Sequence, residues 1–180
     1  MPPIQAFAHC NGHKRFGTVA GFDTLKLLIV DDNQYMRTIV REILRGGGIN
    51  QIQEAKDGAE SFEALTHFPA DIAIVDFNMA PMDGIDFTRM LRTAKDSRNP
   101  LLPVIMVTGH SERSRVEEAR DAGVNEFIVK PLTATALLAR INSVVMNPRN
   151  YVKSRNFTGP ERRRRVVDYH GPLRRGADRA

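Results

Sequence analysis

The amino-acid sequence predicts an α/β protein: a five-stranded parallel sheet with helices on both faces. Five short runs rich in Val, Ile and Leu alternate with five segments whose apolar residues recur at helical spacing, the pattern of repeated strand–helix units. The runs are apolar at consecutive positions instead of every second one, as in strands buried on both faces. Polar residues then close the runs. Asp31, Asp32, Asp76, Thr108 and Lys130 all fall at carboxyl ends of strands, the edge where open parallel sheets bind ligands.

Residues 1–24 show no apolar periodicity and read as a flexible extension. Leu25 to Val30 is the first strand. Asn33 is placed to cap a helix whose Met36, Ile39, Val40, Ile43 and Leu44 share one face, and Gly46-Gly47-Gly48 stops it. Ile49 to Ala55 gives the second strand, and Gly58 to Thr66 a helix turning Phe62 and Leu65 inward. Asp71 to Asp76 is the third strand, followed by a helix marked by Ile85, Phe87, Met90 and Leu91. Leu102 to Val107 is the fourth, leading into Thr108-Gly109. A more polar helix from Ser111 to Ala122 is closed by Gly123. Val124 to Val129 is the fifth strand, before Lys130-Pro131. Thr133 caps a last helix with Leu137, Leu138, Ile141, Val144 and Val145 on one stripe. Residues 25–147 thus form one domain, and 148–180 a basic tail expected to be disordered.

The chain has 180 residues, 42% hydrophobic and 26% charged, enough for one domain with a full core and some spare sequence. A single cysteine, Cys10, excludes an internal disulfide framework and agrees with a reducing cytosol. No apolar stretch approaches a membrane span, and the N-terminus lacks the pattern of a secretion signal, so the expected location is cytoplasmic. The net charge of +5 is unevenly placed. From Pro148 onward nine Arg and one Lys oppose Glu161, Asp168 and Asp178, a net +7, which leaves −2 for residues 1–147. Basic character belongs to the tail and says nothing about the folded part.

Asp31, Asp32 and Asp76, brought together, repel one another, and an oxygen-rich carboxylate cluster suits a hard cation such as Mg2+. Lys130 adds a point charge for a carboxylate or a phosphoryl oxygen, and Thr108 a hydroxyl donor. Such a set can receive and hold a phosphoryl group, with Asp76 as nucleophile because it ends the central strand.

The stretches LIVDDN, IVDFNMAPMDG, IMVTGH and FIVKPL, in that order and spacing, resemble the receiver domain of bacterial response regulators over about residues 25–147. The likeness is to stand-alone, chemotaxis-regulator-like members of two-component phosphorelays. It implies a flavodoxin-like fold with strand order 2-1-3-4-5. It also implies phosphorylation of Asp76 by a histidine kinase or phosphotransfer protein, with Asp31, Asp32, Asp76 and the backbone carbonyl of Asn78 holding magnesium. Thr108 and Phe127 would be the switch pair and Lys130 the phosphoryl contact, with a cis bond before Pro131. The output surface would be the face of helix 4, strand 5 and helix 5, met by a downstream protein. Such a protein works as a monomer or a phosphorylation-dependent dimer, and catalyses only its own phosphorylation and dephosphorylation. Two departures stand out: Ala80 occupies the usual proline position, with Pro81 one further on, and Gly109 follows Thr108 where Ala is common. Asn78 and His110 sit where the family tunes the lifetime of the phosphorylated state.

Other readings are weaker. His9, Cys10 and His13 offer three candidate metal ligands in a segment with no sign of a fold. Gly46-Gly47-Gly48 ends a helix, whereas a phosphate loop follows a strand. A haloacid-dehalogenase-type phosphatase needs a second Asp two positions after the first, where Asn78 stands. The tail repeats a Gly-Pro-x-Arg-Arg unit at Gly159 and Gly171, and its apolar residues are too sparse for a helix-turn-helix core. A solvated tail is the plain reading. Docking on an acidic protein, contact of the tail with an anionic membrane, and a receiver-gated effector binding nucleic acid through the tail are the alternatives. A scaffold that is never phosphorylated would have no need to hold the acidic residues, Thr108 and Lys130 together.

Overall fold

The computed structural model describes residues 22–109, 113–154 and 157–161. Five strands, β1 (Lys26–Val30), β2 (Gln51–Ala55), β3 (Ile72–Asp76), β4 (Val104–Thr108) and β5 (Glu126–Val129), alternate with α1 (Gln34–Gly46), α2 (Gly58–His67), α3 (Gly84–Thr93), α4 (Arg113–Ala122) and α5 (Ala134–Met146). The strands are parallel, in order β2-β1-β3-β4-β5. This is the flavodoxin-like arrangement that the resemblance implied. None of the helices among the described residues is long and apolar enough to cross a membrane.

Strand side chains alternate between two cores. Leu28, Val30, Ala73, Val75, Val104 and Met106 join Leu65, Phe87, Leu91 and Ala119 of α2, α3 and α4 on one face. Leu27, Ile29, Ile72, Ile74, Ile105 and Val107 meet Val40, Leu44, Leu137 and Ile141 of α1 and α5 on the other. Every residue of β3 and β4 is buried, which explains their unbroken apolar runs.

The caps fall where side-chain chemistry placed them. Asn33 accepts from the N–H groups of Tyr35 and Met36, and Thr133 from that of Ala136. Gly123 closes α4 in the left-handed region, at φ 100°. Three of the apolar residues that mark the helices are exposed: Ile39 (46%), Met90 (43%) and Val145 (38%). Ile39 and Met90 each sit about 100° round the helix from a buried neighbour, Val40 or Leu91, and fall off the sheet-facing arc. Val145 lies in the last turn of α5.

Both expected boundaries move outward. Phe22, placed in the extension, is 3% exposed and belongs to the α1–α5 core. Beyond α5, within the segment read as a disordered tail from Pro148, an antiparallel hairpin forms from β6 (Tyr151–Ser154) and β7 (Phe157–Pro160). The apolar residues of this segment, Tyr151, Val152 and Phe157 among them, are too sparse for a helix-turn-helix core. They need none of their own, because the hairpin seats on α3 and α4. The expectation of disorder is therefore corrected for the described residues of 148–161. Residues 1–21, with His9, Cys10 and His13, lie outside the described part, as do His110, Ser111 and 162–180.

Candidate functional site

The carboxyl ends of β1, β3, β4 and β5 bring the polar residues to one edge. Asp31 (5% exposed), Asp76 (5%) and Thr108 (3%) are buried, Asp32 is exposed, and the Lys130 side chain is one-third exposed. Lys130 Nζ lies 2.7 Å from Asp76 Oδ1. The other carboxylate oxygen of Asp76 accepts from the N–H of Asn78 at 3.1 Å, which folds the loop back over the strand end. Asp31 Oδ1 accepts from the N–H of Asn33 at 2.8 Å, and its carbonyl from Arg37 at 2.8 Å. Asp32 reaches the N–H of Ala80 at 3.4 Å.

Burial pushes the Asp31 carboxyl up to about 6, and the charges of Asp76 and Asp32 push the same way against Asn33 and Lys130. Excess negative charge of this kind is relieved by a cation. Among the described residues, Asp76 Oδ1, buried at the strand end, meets only the Lys130 ammonium, which leaves the charges of Asp31 and Asp32 without a cation of their own at this edge. The donor set is all hard oxygen, which suits Mg2+. Among the described residues, however, no three acidic, histidine or cysteine side chains are gathered into a closed metal cluster. The chemistry thus fits an ion held by one or two carboxylates and its own waters, the usual manner of magnesium. Such an ion would supply counter-charge to the acidic edge.

Thr108 stands opposite Val129 in the β4–β5 register, and Phe127 opposite Met106. Thr108 and Phe127 therefore share a face one pleat apart, with half-buried Phe127 packed against the α2–α4 core. The Lys130–Pro131 bond is cis, as the resemblance implied, and so is Ala80–Pro81 in the loop after Asp76.

Two contributors escaped the sequence reading. A Cβ on Gly84 would lie 2.4 Å from the carbonyl oxygen of Asp76, so α3 can start against that strand end only with glycine. The signal was present, since a glycine after Asp83 stands at the start of a helix, where propensity gives it no reason to be. Arg115 of α4 places its guanidinium 4.7 Å from the centre of the Phe77 ring, next to Asp76, and pairs with Glu118, which in turn bonds Arg89 of α3 at 3.0 Å. Nothing in the spacing of these residues announces that contact.

A parallel sheet in this order, with a buried aspartate on its central strand paired to a lysine across the edge, defines the receiver class. The chain belongs to it: the sequence profile of the response regulator receiver domain family matches residues 27–142. Chemotaxis protein CheY-3 of Vibrio cholerae is 40% identical over 120 residues, covering 67% of this chain and 91% of that protein. Chemotaxis protein CheY of Pseudomonas aeruginosa is 41% identical, covering 67% and 95%. Among solved structures, V. cholerae CheY4 superposes with a TM-score of 0.61 at 28% identity, covering 67% of this chain and 98% of that one. CheY in the CheX–CheY–BeF3–Mg2+ complex of Borrelia burgdorferi gives 0.59 at 31% identity, covering 67% and 89%.

Proposed function

We propose that Asp76 accepts a phosphoryl group from the phosphohistidine of a histidine kinase or phosphotransfer protein, and that the chain acts as a stand-alone, chemotaxis-type regulator in the cytoplasm. The observation that carries this reading is a nearly solvent-free carboxylate on the central strand, held by Lys130 at 2.7 Å. The Lys130 contact aims the carboxylate of Asp76, as a nucleophile must be aimed. One carboxylate oxygen attacks phosphorus, the phosphorus–nitrogen bond to the donor breaks, and the imidazole leaves with the electron pair. The aspartyl phosphate carries more negative charge than the carboxylate it replaces. Lys130 moves its charge to a phosphoryl oxygen, and Thr108 donates its hydroxyl to another. Magnesium would be held at this edge by one or two of Asp31, Asp32 and Asp76, with the carbonyl of Asn78 and its own waters, and would supply counter-charge to the phosphoryl oxygens. Movement of Thr108 opens room on the face it shares with Phe127, whose ring turns inward and repacks the surface of α4, β5 and α5 for a downstream protein.

Acetyl phosphate with magnesium should label the protein once, at Asp76. Asp76→Asn should abolish the label and so should chelation of magnesium. Acid-labile phosphate surviving on Asp76→Asn would place the acceptor elsewhere.

A further inference from the structure

The β6–β7 hairpin lies beyond the residues matched by the receiver profile and is fastened to the sheet edge opposite Asp76. The Tyr151 ring lies 5.4 Å from the Arg92 guanidinium, and its hydroxyl donates to Asn125 Oδ1 at 3.1 Å. The same oxygen accepts from the N–H of Val104 at 3.0 Å, where β4 begins, and from Arg92 at 3.4 Å. Arg92, in the last turn of α3 and 4% exposed, also donates to the carbonyls of Pro100 at 2.9 Å and Gly123 at 3.0 Å. Arg149 donates to the carbonyls of Asn125 and Glu161, and the N–H of Glu161 to that of Asn150, so both ends of the hairpin are secured.

The seat is close-fitting. A Cβ on Gly159 would lie 2.8 Å from Gly123 Cα, and one on Gly123 would lie 2.9 Å from the carbonyl oxygen of Thr158. Backbone touches backbone where α4 turns into β5. Arg92 is buried among carbonyls, one amide oxygen and an aromatic ring, an arrangement that holds only while Tyr151 covers it. One small hairpin therefore joins the end of α3, the start of β4, the end of α4 and the start of β5.

We propose that the hairpin is a strap that holds α4 and β5 in the resting arrangement and opposes the one that phosphorylation favours. The contacts are made in the arrangement that pairs Lys130 with the Asp76 carboxylate, a pairing that a phosphoryl group on Asp76 would replace. Helix α4 is tied along its length: Arg115 sits on Phe77 beside Asp76, Glu118 bonds Arg89 of α3, and the turn at Gly123 lies under β7. A shift that begins at the Asp76 edge must disturb the seat at the other edge. The inference rests on the reading of Asp76 as phosphoacceptor, and the coupling it asserts is reciprocal.

The test compares the full chain with Tyr151→Phe, which removes one hydroxyl and leaves the ring, and with a chain ending at Asn147. Phosphorylation rate with acetyl phosphate and magnesium is measured for each, together with hydrogen exchange of the β6–β7 amides with and without beryllofluoride and magnesium. Expected are rates about fivefold higher or more in the truncated chain, a smaller rise in Tyr151→Phe, and faster exchange of hairpin amides when beryllofluoride binds. A lower Tm with unchanged rates and unchanged exchange would make the hairpin a structural appendage and overturn the strap. Slower phosphorylation of Tyr151→Phe would overturn it too, since the hairpin would then favour the phosphorylated arrangement. If the full chain takes up neither phosphate nor beryllofluoride, the phosphoacceptor reading fails and the strap falls with it. Uptake with an indifferent hairpin removes the strap alone.

Discussion

Asp31 shows how one side chain can make a binding edge costly to keep empty. Its carboxyl is raised from 3.8 to about 6, first by burial and then by the neighbouring Asp76 and Asp32. A folded value above the unfolded one means the protonated form is favoured by folding. The contribution of this group is fully present below about pH 3.8 and is lost as pH rises through about 6. Metal-free protein should therefore lose on the order of 1–3 kcal/mol from this residue between pH 4 and 7. Asp31→Asn keeps an oxygen for the N–H of Asn33 but carries no charge. It should raise the Tm of the metal-free protein at pH 7, flatten its dependence on pH, and weaken the stabilisation given by added magnesium. An unaltered pH slope in Asp31→Asn would show that the charge of Asp31 is not what strains the site.

Elements were legible in proportion to how much of their packing is local. All five strands and five helices could be read because β3 and β4 are buried throughout and because Asn33, Thr133 and Gly123 mark helix ends by their own chemistry. Asp31, Asp76, Thr108 and Lys130 were legible for a related reason: each interrupts an apolar run where the sheet edge begins. What the sequence hid depends on a neighbour far along the chain. Tyr151 reads as an isolated aromatic until Arg92 and Asn125, 59 and 26 residues earlier, are set beneath it. Gly84 belongs to the same class, and it allows a prediction in which two effects have opposite signs. At an unhindered helix position Gly→Ala gains up to about 1 kcal/mol. Here the new Cβ would lie 2.4 Å from the carbonyl oxygen of Asp76, which is backbone and cannot step aside. Gly84→Ala should lower stability by about 2 kcal/mol or more and slow phosphorylation, since α3 must back away from the strand that carries the acceptor. A higher Tm in that variant would show that the approach is looser than described.

For the whole molecule, the folded unit reaches Glu161, and this changes where basic tail and receiver can be separated. Residues 1–147 sum to −2, and Arg149, Lys153, Arg155 and Glu161 add a net +2, so the chain through Glu161 is neutral. The last 19 residues hold seven Arg against Asp168 and Asp178, a net +5, which is the whole charge of the protein. A cut after Asn147 removes the tail but also the hairpin, and should cost about 2–4 kcal/mol of stability through the lost Tyr151 contacts to Arg92 and Asn125 and the apolar surface left bare. A cut after Glu161 keeps the hairpin and its seat and takes away the net +5. That second truncation should leave Tm and the phosphorylation of Asp76 unchanged while lowering affinity for any anionic partner. The salt dependence of the lost affinity identifies that partner. For double-stranded DNA the logarithm of affinity falls linearly with the logarithm of salt, by about 0.9 for each phosphate contacted. For an acidic protein surface the decline is shallower, because exposed ion pairs are already screened over about 8 Å at physiological ionic strength. Titrating the full chain and the chain ending at Glu161 against generic duplex DNA, from 50 to 200 mM salt, separates the two. Steep, tail-dependent DNA binding that persists at the upper end would make nucleic acid the partner. Equal and weak binding by both chains would leave the arginines to an acidic protein.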